Sequence, residues 1–247
     1  MTVQSTQSTS ALEKVTRNWN DFYNRLRGRY LMSKAILIKK HKVIYFPIPK
    51  VACTSLKKAC ADLIEMSSDS DISVHDTYFP GIQDLDALQG YEDYFKFAFV
   101  RNPWDRLVSC YCNKIKSDAH INNRWFQNGV SVGLAHYDTF EAGMSFGAFV
   151  NSVIDIPETL AEKHFRSQHT FIVGVDGKLL PNFVGKFESL SEDLARICDH
   201  LNVEPMELPH LQRSFRRDYR KYYSEDLKEV VATRYERDIA LFGYDFE

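Results

Sequence analysis

The sequence predicts an α/β fold with a mainly parallel central sheet flanked by helices. Three observations carry that expectation. Short continuous apolar runs rich in β-branched and aromatic residues, VIYF at 43–46 and FKFAFV at 95–100, read as strands covered on both faces. Each run is followed, after a short loop, by a helical pattern. Strands then keep alternating with helices, which requires crossover connections and so parallel neighbours.

The elements follow in order. Residues 1–12 form a polar tail, and MTVQSTQSTSAL has no basic region followed by an apolar core, so it does not read as a secretory signal. An amphipathic helix is expected over 11–27. The strand Val43–Phe46 leads through the loop Pro47–Ala52 into a helix with Leu56, Ala59, Cys60, Leu63 and Ile64 on one face. Residues 67–94 are polar and turn-rich, with Pro80-Gly81 at a bend. Phe95–Val100 is the second buried strand. Pro103 suits the opening of the next helix, 104–118, which presents Leu107, Val108, Tyr111, Cys112 and Ile115 to the core and Ser109 on the opposite face. Residues 119–143 are irregular, and loops of such length are often binding lids. FIVGVDGKLL reads as a hairpin about Asp176-Gly177, followed by a strand at 183–187. Ser189 with Glu192 makes a capping box for helix 189–202, which buries Leu190, Leu194, Ile197 and Leu201. A last helix starts near Ser224, buries Leu227, Val230, Val231, Tyr235 and Ile239, and ends at Gly243. Residues 13–247 read as a single domain.

Composition narrows the function. A chain of 247 residues with 44% hydrophobic and 26% charged residues is an ordinary globular protein. A net charge of −2 opposes a general nucleic-acid binder. No apolar run reaches transmembrane length. The five cysteines, Cys53, Cys60, Cys110, Cys112 and Cys198, fit neither a disulfide framework nor a zinc site. Cys53 lies near a helix N-terminus, where a thiolate is stabilised, but Ala59 stands where a phosphatase loop needs an arginine.

Two loops at strand ends carry the chemistry, since ligands of α/β sheets bind beyond the carboxyl ends of strands. In IPKVACTSLKK, Lys50 adds a charge just before a helix, and Thr54 and Ser55 add hydroxyls to its first turn. Helix N-termini bind anions, yet the glycines of GxxxxGK[ST] and GxGxxG are absent. In RNPWDRLVS, Arg101 sits at a strand tip and Ser109 on the following helix, so the two can grip one phosphate. The plainer reading pairs Arg101 with Asp105 at the surface. Two anion-suited strand ends in one sheet suggest a ligand with two separate anionic groups.

IPKVACTSLKK resembles the 5′-phosphosulfate loop of the sulfotransferases. FVRNPWDRLVSCY resembles their 3′-phosphate motif, an arginine followed eight residues later by a serine. FVGKFESLSEDL and YYSEDLKEVVATRYERDIALFGYDF extend the likeness to the Golgi carbohydrate sulfotransferases, which include the chondroitin and dermatan enzymes, and to their bacterial relatives. The likeness covers about residues 43–247 and is diffuse between 119 and 160. It implies the donor 3′-phosphoadenosine 5′-phosphosulfate (PAPS), a P-loop-like three-layer fold and no metal. It assigns Lys50, Val51, Ala52, Cys53, Thr54 and Ser55 to the 5′-phosphate, and Arg101 and Ser109 to the 3′-phosphate. The acceptor is a hydroxyl, on a glycan by resemblance, with lipids and natural products open. The lack of a membrane anchor departs from the Golgi members and leads us to expect a soluble, cytoplasmic enzyme of bacterial type.

Sulfuryl transfer needs an in-line geometry, charge stabilisation on the leaving phosphate and a base for the acceptor. Lys50 is the candidate for the leaving group. His75, between the two loops, is the first candidate for the base, because related enzymes often draw it from that part of the chain. His164, in HFRSQH, is the second; it matches a histidine-aromatic-basic stretch of the carbohydrate family. His136 and His169 are weaker choices. In the basic run RSFRRDYRK, Arg216 or Arg217 either closes over the 3′-phosphate or meets an anionic acceptor, or the run is simply solvated. The competing readings are a nucleotide kinase and a non-catalytic module that binds a nucleotide or a sulfated glycan.

Overall fold

A computed structural model describes residues 35–63, 81–82, 88–206, 208 and 217–247, all within one compact unit, Ser33–Glu247. The expected tail 1–12, the helix 11–27, His75 and Arg216 lie outside the described residues.

Strands β1 (Ala35–Ile38), β2 (Val43–Phe46), β3 (Gly81–Ile82), β4 (Phe95–Val100) and β7 (Phe183–Lys186) form one sheet in the order β3-β1-β2-β4-β7. β2, β4 and β7 run parallel, while β1 pairs antiparallel with both β2 and β3. The sheet is therefore mixed rather than mainly parallel. The cause is local: only Lys39–Lys42 separate β1 from β2, too short for a crossover, and Lys42 turns the chain with φ 52°. AILI and VIYF are buried throughout, as expected for strands with no solvent face. A two-stranded ribbon, β5 (Phe126–Gln127) and β6 (Val130–Ser131), structures part of the irregular 119–143 segment.

Helices α1 (Cys53–Leu63) and α2 (Pro103–Lys114) follow β2 and β4. α3 (Phe146–Asp155), capped by Ser145, has no counterpart in the sequence reading. α4 (Leu190–Leu201) packs on β7. The expected last helix is two: α5 (Glu225–Arg234), capped by Ser224, and α6 (Glu236–Phe242), which ends at Gly243 with φ 60°. Three further expectations change. The Ser189 hydroxyl bonds Asp193 Oδ2 at 2.8 Å instead of capping α4. The 171–180 hairpin is reduced to one bridge, Val173 with Leu179. Ser109 is buried rather than on an open face, and α2 packs against α3 and α5.

Gly185 shows how closely β7 approaches its neighbours. A Cβ there would stand 2.5 Å from the Phe99 ring and 3.1 Å from Asp193 Cβ. Gly185→Ala should cost about 1–3 kcal/mol through forced displacement of a fully buried aromatic. Urea unfolding reads this directly, and an unchanged midpoint would refute it.

Candidate active site

The register of the parallel strands builds the site. Phe46 pairs with Ala98, so β4 reaches two residues further than β2 and sets Arg101 beside the loop that leaves β2. Asn102 then caps α2, accepting from the N–H of Trp104 at 3.1 Å, and Pro103 opens the helix as expected.

The β2–α1 loop resolves the missing glycines. Lys50 and Ala52 are left-handed, with φ 70° and φ 47°. Non-glycine residues pay for that conformation, typically ~1–3 kcal/mol each, and keep it only where the surroundings impose it. The turns are thus made by the residues present, and the chain enters α1 with the Leu56 N–H on the Ala52 carbonyl at 3.0 Å. Such alternation of backbone handedness aims successive N–H groups into an anion-binding concavity.

Arg101 joins the two loops. Its Nη1 donates to the Lys50 carbonyl at 2.9 Å, and its Nε donates to Asp105 Oδ2 at 2.7 Å. The Phe187 ring lies 4.0 Å beneath the guanidinium, so the end of β7 contributes as well. The pairing with Asp105 is real, but it is buried rather than superficial. The backbone of Arg101 exchanges two hydrogen bonds with the side chain of Gln168, at 2.9 and 2.8 Å. Asp238, fully buried, holds the N–H groups of Gln168 and His169 and the His169 Nδ1 at 2.6, 2.8 and 2.7 Å. His169 is thereby anchored to Asp238. Glu188 accepts from the Asn102 N–H at 2.7 Å and from the Tyr244 hydroxyl at 2.9 Å.

Arg106 is the residue the sequence reading missed. It is 2% exposed, and its guanidinium donates to the carbonyls of Pro49, Arg166 and Lys163 at 3.0, 2.8 and 3.2 Å. One guanidinium therefore ties the residue before Lys50 to the residue before His164. The available signal was an arginine embedded among the buried positions of α2.

Charge follows from this packing. Burial pulls Lys50 down to about 8, and the neighbouring charges of Lys114 and Arg101 push the same way. Burial likewise lowers Lys114. Burial takes His164 down to about 4, so its ring is neutral near pH 7, although Glu162 pulls in the other direction. Cys110 is pushed up to about 12 by burial and stays a thiol.

The sequence-selected residues are thus placed as follows. Lys50 and Arg101 are in contact through a hydrogen bond. Val51, Ala52, Cys53, Thr54 and Ser55 form the loop and the first turn of α1. Ser109 is buried on α2 and, among the described residues, makes no hydrogen bond with Lys50 or Arg101. The residue before His164 is tied to the β2–α1 loop through Arg106. His136 is exposed and stacks on Tyr137, and Arg217 is exposed.

Comparison with known proteins identifies the family. The chain is 26% identical over 269 residues to carbohydrate sulfotransferase 12 of Mus musculus, covering 92% of this chain and 62% of the relative. It is 25% identical over 245 residues to carbohydrate sulfotransferase 10 of Xenopus laevis, covering 88% of this chain and 69% of the relative. The human carbohydrate sulfotransferase 10 is similar at 25% identity, with 88% and 68% covered. The chain thus spans about two thirds of the length of these relatives. No solved structure matches it. The relatives are animal proteins, which overturns the expectation of a cytoplasmic enzyme of bacterial type. Among the described residues no helix is long and apolar enough to cross a membrane. The profile of the sulfotransferase family matches residues 33–245, and the chain belongs to that family.

Proposed function

We propose that the protein moves a sulfuryl group from PAPS to a carbohydrate hydroxyl. The hydrogen bond from Arg101 to the Lys50 carbonyl carries the reading, because it brings a phosphate-suited arginine against the loop suited to the other phosphate. The fold is then P-loop-like. The backbone N–H groups of Val51, Ala52 and Cys53, the hydroxyls of Thr54 and Ser55, and the Lys50 ammonium hold the 5′-phosphosulfate. Arg101 and Ser109 take the 3′-phosphate, and Arg217, with Arg216 beyond the described residues, closes over it.

The acceptor oxygen forms its bond to sulfur as the bond from sulfur to the 5′-phosphate oxygen breaks. The electron pair leaves with the phosphate, where Lys50 meets the growing charge. His164 takes the acceptor's proton, with His75 the alternative; what supports His164 is that Arg106 ties its segment to the loop that carries Lys50. A carbohydrate acceptor is supported by the names of the relatives. Family membership disfavours a kinase or a non-catalytic module.

Calorimetry with adenosine 3′,5′-bisphosphate, followed by labelled-sulfate transfer from PAPS to a panel of polysaccharides, tests the reading. Binding without transfer to any of them would reject it. Arg101→Ala should weaken the bisphosphate about 30-fold, equivalent to about 2 kcal/mol, and leave adenosine 5′-monophosphate within about threefold. Equal losses for both nucleotides would remove Arg101 from the 3′-phosphate.

A further inference from the structure

We propose that Glu162 is the positioning residue of the base, holding His164 in the tautomer that carries its proton on Nδ1 and leaves Nε2 bare for the acceptor. This rests on the sulfuryl-transfer reading.

The carboxylate is committed to one histidine. Both of its oxygens lie 2.8 Å from His164 Nδ1, and Oε2 also accepts the His164 backbone N–H at 2.7 Å. Both side chains are largely buried, at 11% and 20% exposure. Glu162 also begins the tight turn that presents the ring, since its carbonyl accepts the N–H of Phe165 at 3.1 Å and of Arg166 at 2.9 Å. Gly133 packs close against the carboxylate: a Cβ there would stand 3.3 Å from Glu162 Oε1.

Protonation states fix the tautomer. Burial raises Glu162, but its bonds and attraction to His164, with Lys114 adding, hold the acid below the ordinary glutamate range. It is therefore ionised near neutral pH and can only accept hydrogen bonds. A neutral imidazole facing it must put its single proton on Nδ1, which leaves the Nε2 lone pair available. When Nε2 takes the acceptor's proton, the imidazolium forms beside an ion-paired carboxylate and is stabilised where charge develops. The other charged groups facing the pair are Lys114 from α2 and Lys163 from the same segment; both disfavour the imidazolium, so the ring is a base that releases its proton readily after transfer.

The ring nitrogens report the tautomer without donor or acceptor. Nitrogen-15 correlation spectra of the full chain, with His164→Gln to identify the signals, should show Nδ1 protonated and Nε2 bare at pH 7. A majority Nε2–H form would overturn the proposal. Glu162→Gln should mix the two tautomers, lower kcat about 30-fold, and leave KM for PAPS and the affinity for adenosine 3′,5′-bisphosphate within about threefold. The acid limb of kcat/KM should move to lower pH, because the imidazolium loses its partner. Glu162→Asp should recover part of kcat. A Glu162→Gln enzyme with wild-type kcat and an unmoved acid limb would also overturn the proposal. Absence of transfer by the wild-type protein is a different result: it removes the sulfotransferase reading and with it the catalytic role, while the spectra still decide the tautomer.

Discussion

Lys50→Ala should lower sulfate transfer about 1,000-fold while adenosine 3′,5′-bisphosphate binds within about tenfold of wild type. On the proposed reading, the size follows from removing one preorganised charge from the atom on which the leaving group's electrons collect. Lys50→Arg should not restore the rate. The guanidinium is larger and planar, and the left-handed backbone at this residue leaves little freedom to re-aim it. Rapid-quench transfer assays with calorimetry in parallel separate the two quantities. Loss of binding equal to the loss of rate would make Lys50 a simple anchor.

The same lysine predicts two pH effects. Its ammonium loses its proton near pH 8 in the free protein, so kcat/KM should fall as pH rises through about 8. Burial sets this value, and the nearby groups that adjust it are Cys110 and Lys114 on α2, Cys53 on α1, and Arg101. Bound donor adds negative charge and should move the limb of kcat itself to higher pH. Stability runs the opposite way. Between about pH 8 and 10.5 the unfolded chain holds a proton that the folded chain has lost, so this residue makes the fold more stable as pH rises across that window. Below pH 8 the buried charge is a standing cost. Lys50→Met should therefore raise stability at pH 7, by about 1–2 kcal/mol, while abolishing transfer.

Arg106→Leu should destabilise the fold by about 3–5 kcal/mol, the largest loss expected from a single residue of the site. Three carbonyls, of Pro49, Lys163 and Arg166, lose charge-assisted donors, each worth about 1.5–3 kcal/mol, partly offset by the buried leucine. Arg106→Lys should recover less than half, because an ammonium cannot reach three carbonyls held in a fixed fork. Urea unfolding with an unchanged slope measures the loss, and a cost below about 1 kcal/mol would show that the carbonyls find other partners. A fraction of Arg106→Lys that folds should also transfer sulfate slowly, since the β2–α1 loop and the His164 segment would no longer share one tether.

Much of this protein was legible in order along the chain. The runs 43–46 and 95–100 are strands, and helices follow each of them, because burial on both faces leaves a continuous apolar run and a helix face repeats every three to four residues. The family resemblance was legible in the two loops for the same reason: Lys50, Arg101 and their neighbours are close to one another within short stretches. β1 and α3 went unread, although AILI and the Ser145 cap carry ordinary signals. The expected capping box at Ser189 failed because Asp193, one turn further along α4, takes its hydroxyl.

What the sequence determined by itself is the family and the elements that carry it: an α/β chain of the sulfotransferase family, with two strand-end loops whose residues suit an anion. What only the tertiary structure decided is which residues meet. Arg106 reaches carbonyls 57 and 60 positions away, Arg101 reaches Lys50 across 51, and Gln168 reaches Arg101 across 67. No local periodicity records such pairs. They exist because parallel strands of unequal reach bring distant loops to one edge, where a buried donor must find an acceptor or the fold pays for its absence.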